Sequence, residues 1–190
     1  SGGEGNEVGD VTMTTDEVLE LYAAVYDTDN NFLDNIQVNW SFSGTLDAPA
    51  VVIGSSYSFN PSSAFTSGTI LITSSSLTGD ATGTITVNGG VQAYLKIRNE
   101  SGGGGNEIED ITMTTDQSLT LYAAVYDQDD NYIQDLSVDW VSSGDLDEVS
   151  ASGTSYNFFP STAFTTGKLS IATGSLVGDS TGTITVNGGA

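Results

Sequence analysis

Histidine and cysteine are both absent from the 190 residues, and lysine and arginine together number 3. Without cysteine there is no disulfide framework and no thiolate metal site. Without histidine as well, Ser-His and Cys-His nucleophile systems are excluded. The 25 acidic residues leave a net charge of −22. Such a chain has almost nothing with which to neutralise phosphate, so nucleic acid and anionic lipid are not expected partners. No run approaches the roughly 20 apolar residues that span a bilayer, so direct membrane insertion is not expected either. The opening SGGEGNEVGD has neither the basic nor the apolar region of a signal peptide, and reads as the start of a mature chain or an excised piece. GGGGN at 102–106 lacks the Gly-Lys-Ser/Thr of a phosphate loop. Two carboxylates can cleave a glycoside, but nothing marks such a pair, and no enzyme is expected.

What is present is repetition. SGGEGNEVGDVTMTTD at 1–16 returns as SGGGGNEIEDITMTTD at 101–116. The offset of 100 holds through LYAAVYD and the pair Trp40 and Trp140. It slips to 99 near residue 52, as one deleted residue would require, and then holds through TGTITVNGG at 82–90 and 181–189. The expected organisation is a domain over 1–90, a linker or first strand over 91–100, and a second domain over 101–190.

Within each copy the hydrophobic period is two. Leu19, Leu21, Ala23 and Val25 alternate with Glu20, Tyr22, Ala24 and Tyr26. Ile36, Val38, Trp40 and Phe42 alternate with polar residues, and Ile85 and Val87 with threonines. Such alternation marks half-buried antiparallel strands, and Gly, Ser, Asn and Asp clusters punctuate it. No stretch carries a sustained helical stripe. The expectation is all-β: two sandwiches of about seven short strands each, with Trp40 and Trp140 in the cores.

LYAAVYDTDNNFLDNIQVNWSFSG resembles the centre of bacterial Ig-like domains of the invasin and intimin kind. There an alternating strand ends in Val-x-Asp, a polar turn with Asn follows, and a second strand carries Val-x-Trp or Val-x-Phe. The matching positions are Val25, Asp27, Asn31, Val38 and Trp40, and Val125, Asp127, Asn131, Val138 and Trp140. TGTITVNGG is similar to the closing strand. The usual Gly before the turn Asn is replaced by Asn30 and Asp130, which both tolerate positive φ. The resemblance implies two tandem Ig-like β-sandwich domains in a cell-surface or extracellular bacterial protein, a stalk, adhesin arm or fibre without catalytic activity. The alternative from another class is a module that binds surface glycans.

The acidic knots DTDNN at 27–31 and DQDDN at 127–131 fit the first ligand positions of an EF-hand. Position six is Phe32 or Tyr132 rather than Gly, and position twelve Val38 or Val138 rather than Glu, so that site is not expected. Two readings remain open. One is a turn that uses Asp and Asn for local backbone bonding. The other is calcium. In a seven-strand Ig-like topology the loops after the second and sixth strands share a pole. That would place Asp27, Asp29 and Asn31 near Asp80, and Asp127, Asp129 and Asn131 near Asp179. Asn99, Glu100 and Glu107 lie within reach of the second set, and NESGGGGN at 99–106 reads as a hinge that calcium would stiffen.

Tyr22, Tyr26, Tyr122 and Tyr126 fall on the outer face of their strands, a strip suited to packing against a neighbour or stacking on sugar. NWS at 39–41 and NES at 99–101 are short sequons. YLKIR at 94–98 alternates Tyr94, Lys96 and Arg98 with Leu95 and Ile97, so it reads as a strand, assigned to the second domain. Nothing in the given sequence supplies the first domain with its equivalent. Either an upstream segment provides it, or an open sheet edge invites a neighbouring copy. Tyr94–Arg98 are therefore the candidate assembly residues, and neighbouring copies or repeats the expected partners.

Overall fold

A computed structural model describes every residue except 1, 2, 4, 48 and 50. The described residues form strands, turns and loops without a helix. The chain divides into two compact units, Ser1–Gly90 and Val91–Ala190. Each is an Ig-like β-sandwich.

Unit 1 holds β1 (Val11–Thr14), β2 (Leu19–Tyr22), β3 (Ala24–Tyr26), β4 (Phe32–Asn35), β5 (Val38–Phe42) and β6 (Val52–Gly54). β7 (Ser56–Phe59), β8 (Thr66–Gly68), β9 (Ile70–Thr73), β10 (Asp80–Ala81) and β11 (Ile85–Asn88) complete it. Unit 2 opens with β12 (Tyr94–Arg98), followed by β13 (Ile111–Thr114), β14 (Leu119–Tyr126), β15 (Tyr132–Asp135) and β16 (Val138–Ser142). β17 (Ser150–Gly153), β18 (Ser155–Phe158), β19 (Thr165–Gly167), β20 (Leu169–Thr173), β21 (Leu176–Ser180) and β22 (Ile184–Asn187) follow.

The elements outnumber the expected seven per unit because single runs change partners midway. β8 pairs with β11, whereas β9, one residue later, pairs with β5. β2 pairs with β7, whereas β3 pairs with β4. A run that crosses between sheets turns its side chains to one core throughout, which the alternation reports without reporting the switch.

The first full strand of each repeat lies parallel to the last. β1 runs beside β11 from Val11↔Ile85 to Thr14↔Asn88, and β13 beside β22 from Ile111↔Ile184 to Thr114↔Asn187. β11 and β22 then pair antiparallel with β8 and β19. Against these small sheets pack the strands that carry the tryptophans. Trp40, Phe59, Ile70, Ile85 and Val87 are buried in unit 1. Trp140, Phe158, Leu169, Ile171 and Ile184 are buried in unit 2, where Leu95 and Ile97 join them. Each indole N–H donates to a backbone carbonyl, Gly54 or Gly153, at 3.0 Å. A buried Trp thereby keeps its one polar group satisfied.

Candidate strand-insertion site

The two repeats differ most where β12 enters. In unit 2, β12 lies antiparallel to β14, from Tyr94↔Tyr126 to Arg98↔Tyr122, and parallel to β21 at Tyr94↔Val177. It joins the two into one sheet of order β15-β14-β12-β21-β20-β16-β17. The alternation of YLKIR does this directly. Leu95 and Ile97 are 2% and 1% exposed and pack into the core. Tyr94, Lys96 and Arg98 stay on the outer side, half-buried.

That outer side carries two of the chain's three basic residues. Lys96 Nζ donates to Asp130 Oδ1 at 2.8 Å and lies 3.3 Å from Glu107 Oε1. The Tyr94 hydroxyl donates to the same Asp130 oxygen. The Tyr94 ring stacks on Tyr126 with centroids 5.9 Å apart, and Lys96 Nζ sits 5.0 Å from the Tyr126 centroid. Arg98 is 3.8 Å from Glu107 and donates to the carbonyls of Gly103, Gly104 and Gly105. On the far edge, the Ile97 N–H donates to Asp179 Oδ2 at 2.7 Å. A carboxylate there accepts a strand N–H, a charge-assisted bond.

These contacts revise several expectations. Residues 99–106 are a loop inside unit 2, between β12 and β13, not a free hinge. Arg98 binds three of its carbonyls, and the Asn99 N–H donates to Asn106 O at 3.1 Å. Gly103 has φ +70 and its position faces the Tyr132 ring, so the loop demands glycine where the sequence suggests mere flexibility. The tyrosine strip is also not equivalent in the two copies. Tyr22 and Tyr26 are 47% and 42% exposed, but Tyr126 is 6% exposed, its ring stacked on Tyr94 of β12 and its hydroxyl donating to the Gly103 carbonyl.

The acidic knots are turns. Asp27 Oδ1 accepts the N–H groups of Asp29 and Asn31 at 2.9 and 2.8 Å, and Asp127 Oδ1 those of Asp129 and Asn131 at 3.1 and 2.8 Å. Asn31 and Asn131 add their side-chain amides to both oxygens of the same carboxylates. Those hydrogen bonds hold the Asp27 carboxyl below its usual range, Asn31 making the largest contribution. Asn30 and Asp130 take positive φ, 63° and 68°, as the missing glycine requires. No three acidic side chains gather to hold a metal ion among the described residues. Of the calcium candidates, Asp27 and Asp127 accept hydrogen bonds within their turns, and Asp179 accepts the Ile97 N–H of β12. Asp29 and Asp129 contribute their N–H groups, and Asp80 is exposed on β10. Asp130, whose carboxylate binds Tyr94 and Lys96, is the functional residue that sequence reasoning credited only with its backbone.

Asp130 gives unit 2 a characteristic pH response. Hydrogen bonds from Lys96 and then Tyr94 hold its carboxyl below the usual range. The bond to Asp130 raises the Lys96 ammonium, while burial first and the Asp130 bond second push the Tyr94 phenol up to about 12. A depressed carboxyl stabilises above its unfolded value and loses that contribution as pH falls through its folded value. A raised ammonium or phenol stabilises below its unfolded value and loses that contribution as pH rises through its folded value. Unit 2 should therefore show a stability plateau closed by an acid limb below the ordinary carboxylate range and an alkaline limb reaching about 12. Urea midpoints of D130N against the parent should flatten the acid limb. An unchanged acid limb would remove Asp130 from this role.

In unit 1 the corresponding place is open. β3 pairs only with β4, and β10 with β9, so the edges that flank β12 in unit 2 have no strand between them among the described residues. An open cleft of about 850 Å³ lies there, bordered by Tyr22, Tyr26, Glu7 and Asp80 and reaching Trp40 and Ile70. A second hollow of about 310 Å³ shares Ala24, Tyr26, Ile72 and Asp80 with it.

No protein-family model matches the chain, and no curated protein matches it. Among solved structures, the N-terminal four Ig domains of Dscam1 isoform 4.44 are 8% identical with a TM-score of 0.34, over 98% of this chain and 45% of that one. Rst D1-D2 is 12% identical with a TM-score of 0.30, over 97% of both chains. A chimeric titin Z1Z2-Z1Z2 tandem is 12% identical with a TM-score of 0.27, over 97% of both. The chain thus spans less than half the length of the Dscam1 structure. With such low scores, the architecture rests on this chain's own strands and registers.

Proposed function

We propose that the chain is a non-enzymatic structural and adhesive repeat segment of an extracellular or surface-anchored protein, a stalk, arm or fibre of the bacterial invasin and intimin kind. The supporting observation is the parallel pairing of the first and last strands of unit 1, with the same pairing of β13 and β22 inside unit 2. Tension along the chain enters unit 1 near Val11, at the start of β1, and leaves near Asn88, at the end of β11. Because these strands are parallel, the two pulls oppose each other along the strand axis. All the bonds between Val11↔Ile85 and Thr14↔Asn88 then share the load at once, instead of opening one after another. β13 and β22 pair the same way in unit 2, where β12, paired with β14, meets the pull first and must be released before β13 is loaded. The sequence resemblance points the same way, and the acidic surface keeps such segments apart and soluble.

Pulling single molecules from both ends tests this. Two separate rupture peaks are expected, each releasing a contour length on the order of 30 nm, since an extended residue spans at most about 3.3–3.6 Å. Extension without rupture peaks would overturn the reading.

A further inference from the structure

Unit 2 is an internal template for what unit 1 lacks. The two repeats share the tyrosines, the turn aspartate, the glutamate of Glu7 and Glu107, and the strand-edge aspartate of Asp80 and Asp179. Where β12 is present, β14 runs unbroken for 8 residues; its counterpart in unit 1 is split into β2 and β3. β21 has 5 residues, whereas β10 has 2. Ala124 and Val125 are fully buried and Ile171 is 2% exposed, whereas Ala24, Val25 and Ile72 are each only half-buried. The Asp179 carboxylate accepts the β12 backbone N–H, whereas the Asp80 side chain is exposed beside β9. Each difference is what removing one strand from this place produces.

We propose that the cleft between β3 and β10 receives an extended strand of β12's chemistry, supplied from outside residues 1–190. The strand would run antiparallel to Tyr22–Tyr26 and parallel to β10. It would turn two apolar side chains, two residues apart, toward Trp40 and Ile70. Its outer face would carry a cation between them. The cation follows from charge: Glu7, Glu20 and Asp80 line the cleft, and in unit 2 the equivalent strand bears Lys96 and Arg98. Asn30 replaces Asp130 at the rim and still offers an amide oxygen to a phenol or ammonium group. The backbone supplies affinity and the alternating side chains supply specificity, as in strand addition to an open edge. Such an insertion links consecutive units in one direction, since donor and acceptor surfaces differ.

The occupant goes beyond the mechanical reading and does not depend on it. Pulling reports on β1 with β11, whereas strand insertion is read at β3 and β10, so either can fail alone. The experiment adds a synthetic VQAYLKIRNE peptide, residues 91–100, to the full 190-residue chain and follows hydrogen exchange and calorimetry. Unit 2 already holds this strand, so one peptide per chain is expected. Amides of Tyr22–Tyr26 and Asp80–Ala81 should slow at least tenfold while those of unit 2 stay unchanged. A control peptide with serine at the two positions matching Leu95 and Ile97 should bind at least tenfold more weakly. No binding at millimolar peptide, equal binding of the control, or protection elsewhere would overturn the proposal. If the same amides become protected in the chain alone as concentration rises, and the peptide cannot displace that protection, the occupant is a second copy and the assignment to a β12-type strand fails.

Discussion

Replacing Leu95 and Ile97 together with alanine should unfold unit 2 while leaving unit 1 folded. Both side chains are almost wholly buried and touch the cluster built around Trp140. Truncating a buried Leu or Ile to Ala typically costs 2–5 kcal/mol, combining lost transfer energy with the cavity left behind. Two such losses total about 4–10 kcal/mol, comparable with the 5–15 kcal/mol that holds a whole domain together. The sites are neighbours on one strand, so the sum is not strictly additive. The sheet also loses its continuity, because β12 alone joins β14 to β21. Hydrogen exchange resolved by unit is the measurement. Amides of β14 and β20 should lose protection in the double variant and those of β5 and β9 should keep it. K96A gives the contrast: its ion pairs are partly exposed, and such pairs contribute about 0–1 kcal/mol. If the double variant keeps parental protection in β14, the strand is an accessory and unit 2 is complete without it.

The same residues show how far the sequence could be read. The alternation of apolar residues from Leu19 to Val25 and from Ile36 to Phe42 was enough for an all-β architecture, because a period of two has one physical cause. The strand character of YLKIR was legible from Leu95 and Ile97 for the same reason; its assignment to the second domain came from the resemblance. Positive φ at Asn30 and Asp130 followed from the residue types that tolerate it. The chemistry around β12 was not legible. Asp179 reaches the Ile97 N–H across 82 positions, a contact that exists only once β12 is known to lie beside β21. Sequence shows that an aspartate offers oxygens; it does not show whose N–H those oxygens meet. Tyr26 and Tyr126 make the limit plain. Their flanking residues are the same, AAVYD, yet one ring is open and the other is covered by Tyr94 and Lys96 of the neighbouring strand.

Removing the turn carboxylate should cost unit 2 far more than unit 1, although the turns are the same. Asp127 and Asp27 both accept hydrogen bonds from the backbone N–H groups two and four residues on and from the side-chain amide of the following Asn. Their surroundings differ. Asp127 is 0% exposed, whereas Asp27 is partly open to solvent. In D127A the partly buried donors of Asp129 and Asn131 lose a charged acceptor that is itself fully buried, and a hydrogen bond to a charged group contributes about 1.5–3 kcal/mol. In D27A water can replace the carboxylate, so the loss should be much smaller. The effect in unit 2 extends further, because the turn after Asp127 presents Asp130 to Lys96 and Tyr94. D127N should fall between parent and alanine: one oxygen still accepts the backbone N–H groups, but its amide nitrogen would face that of Asn131. Urea midpoints of the two alanine variants, read unit by unit, decide the matter. Equal losses in the two units would mean that covering the turn with β12 adds nothing to its strength.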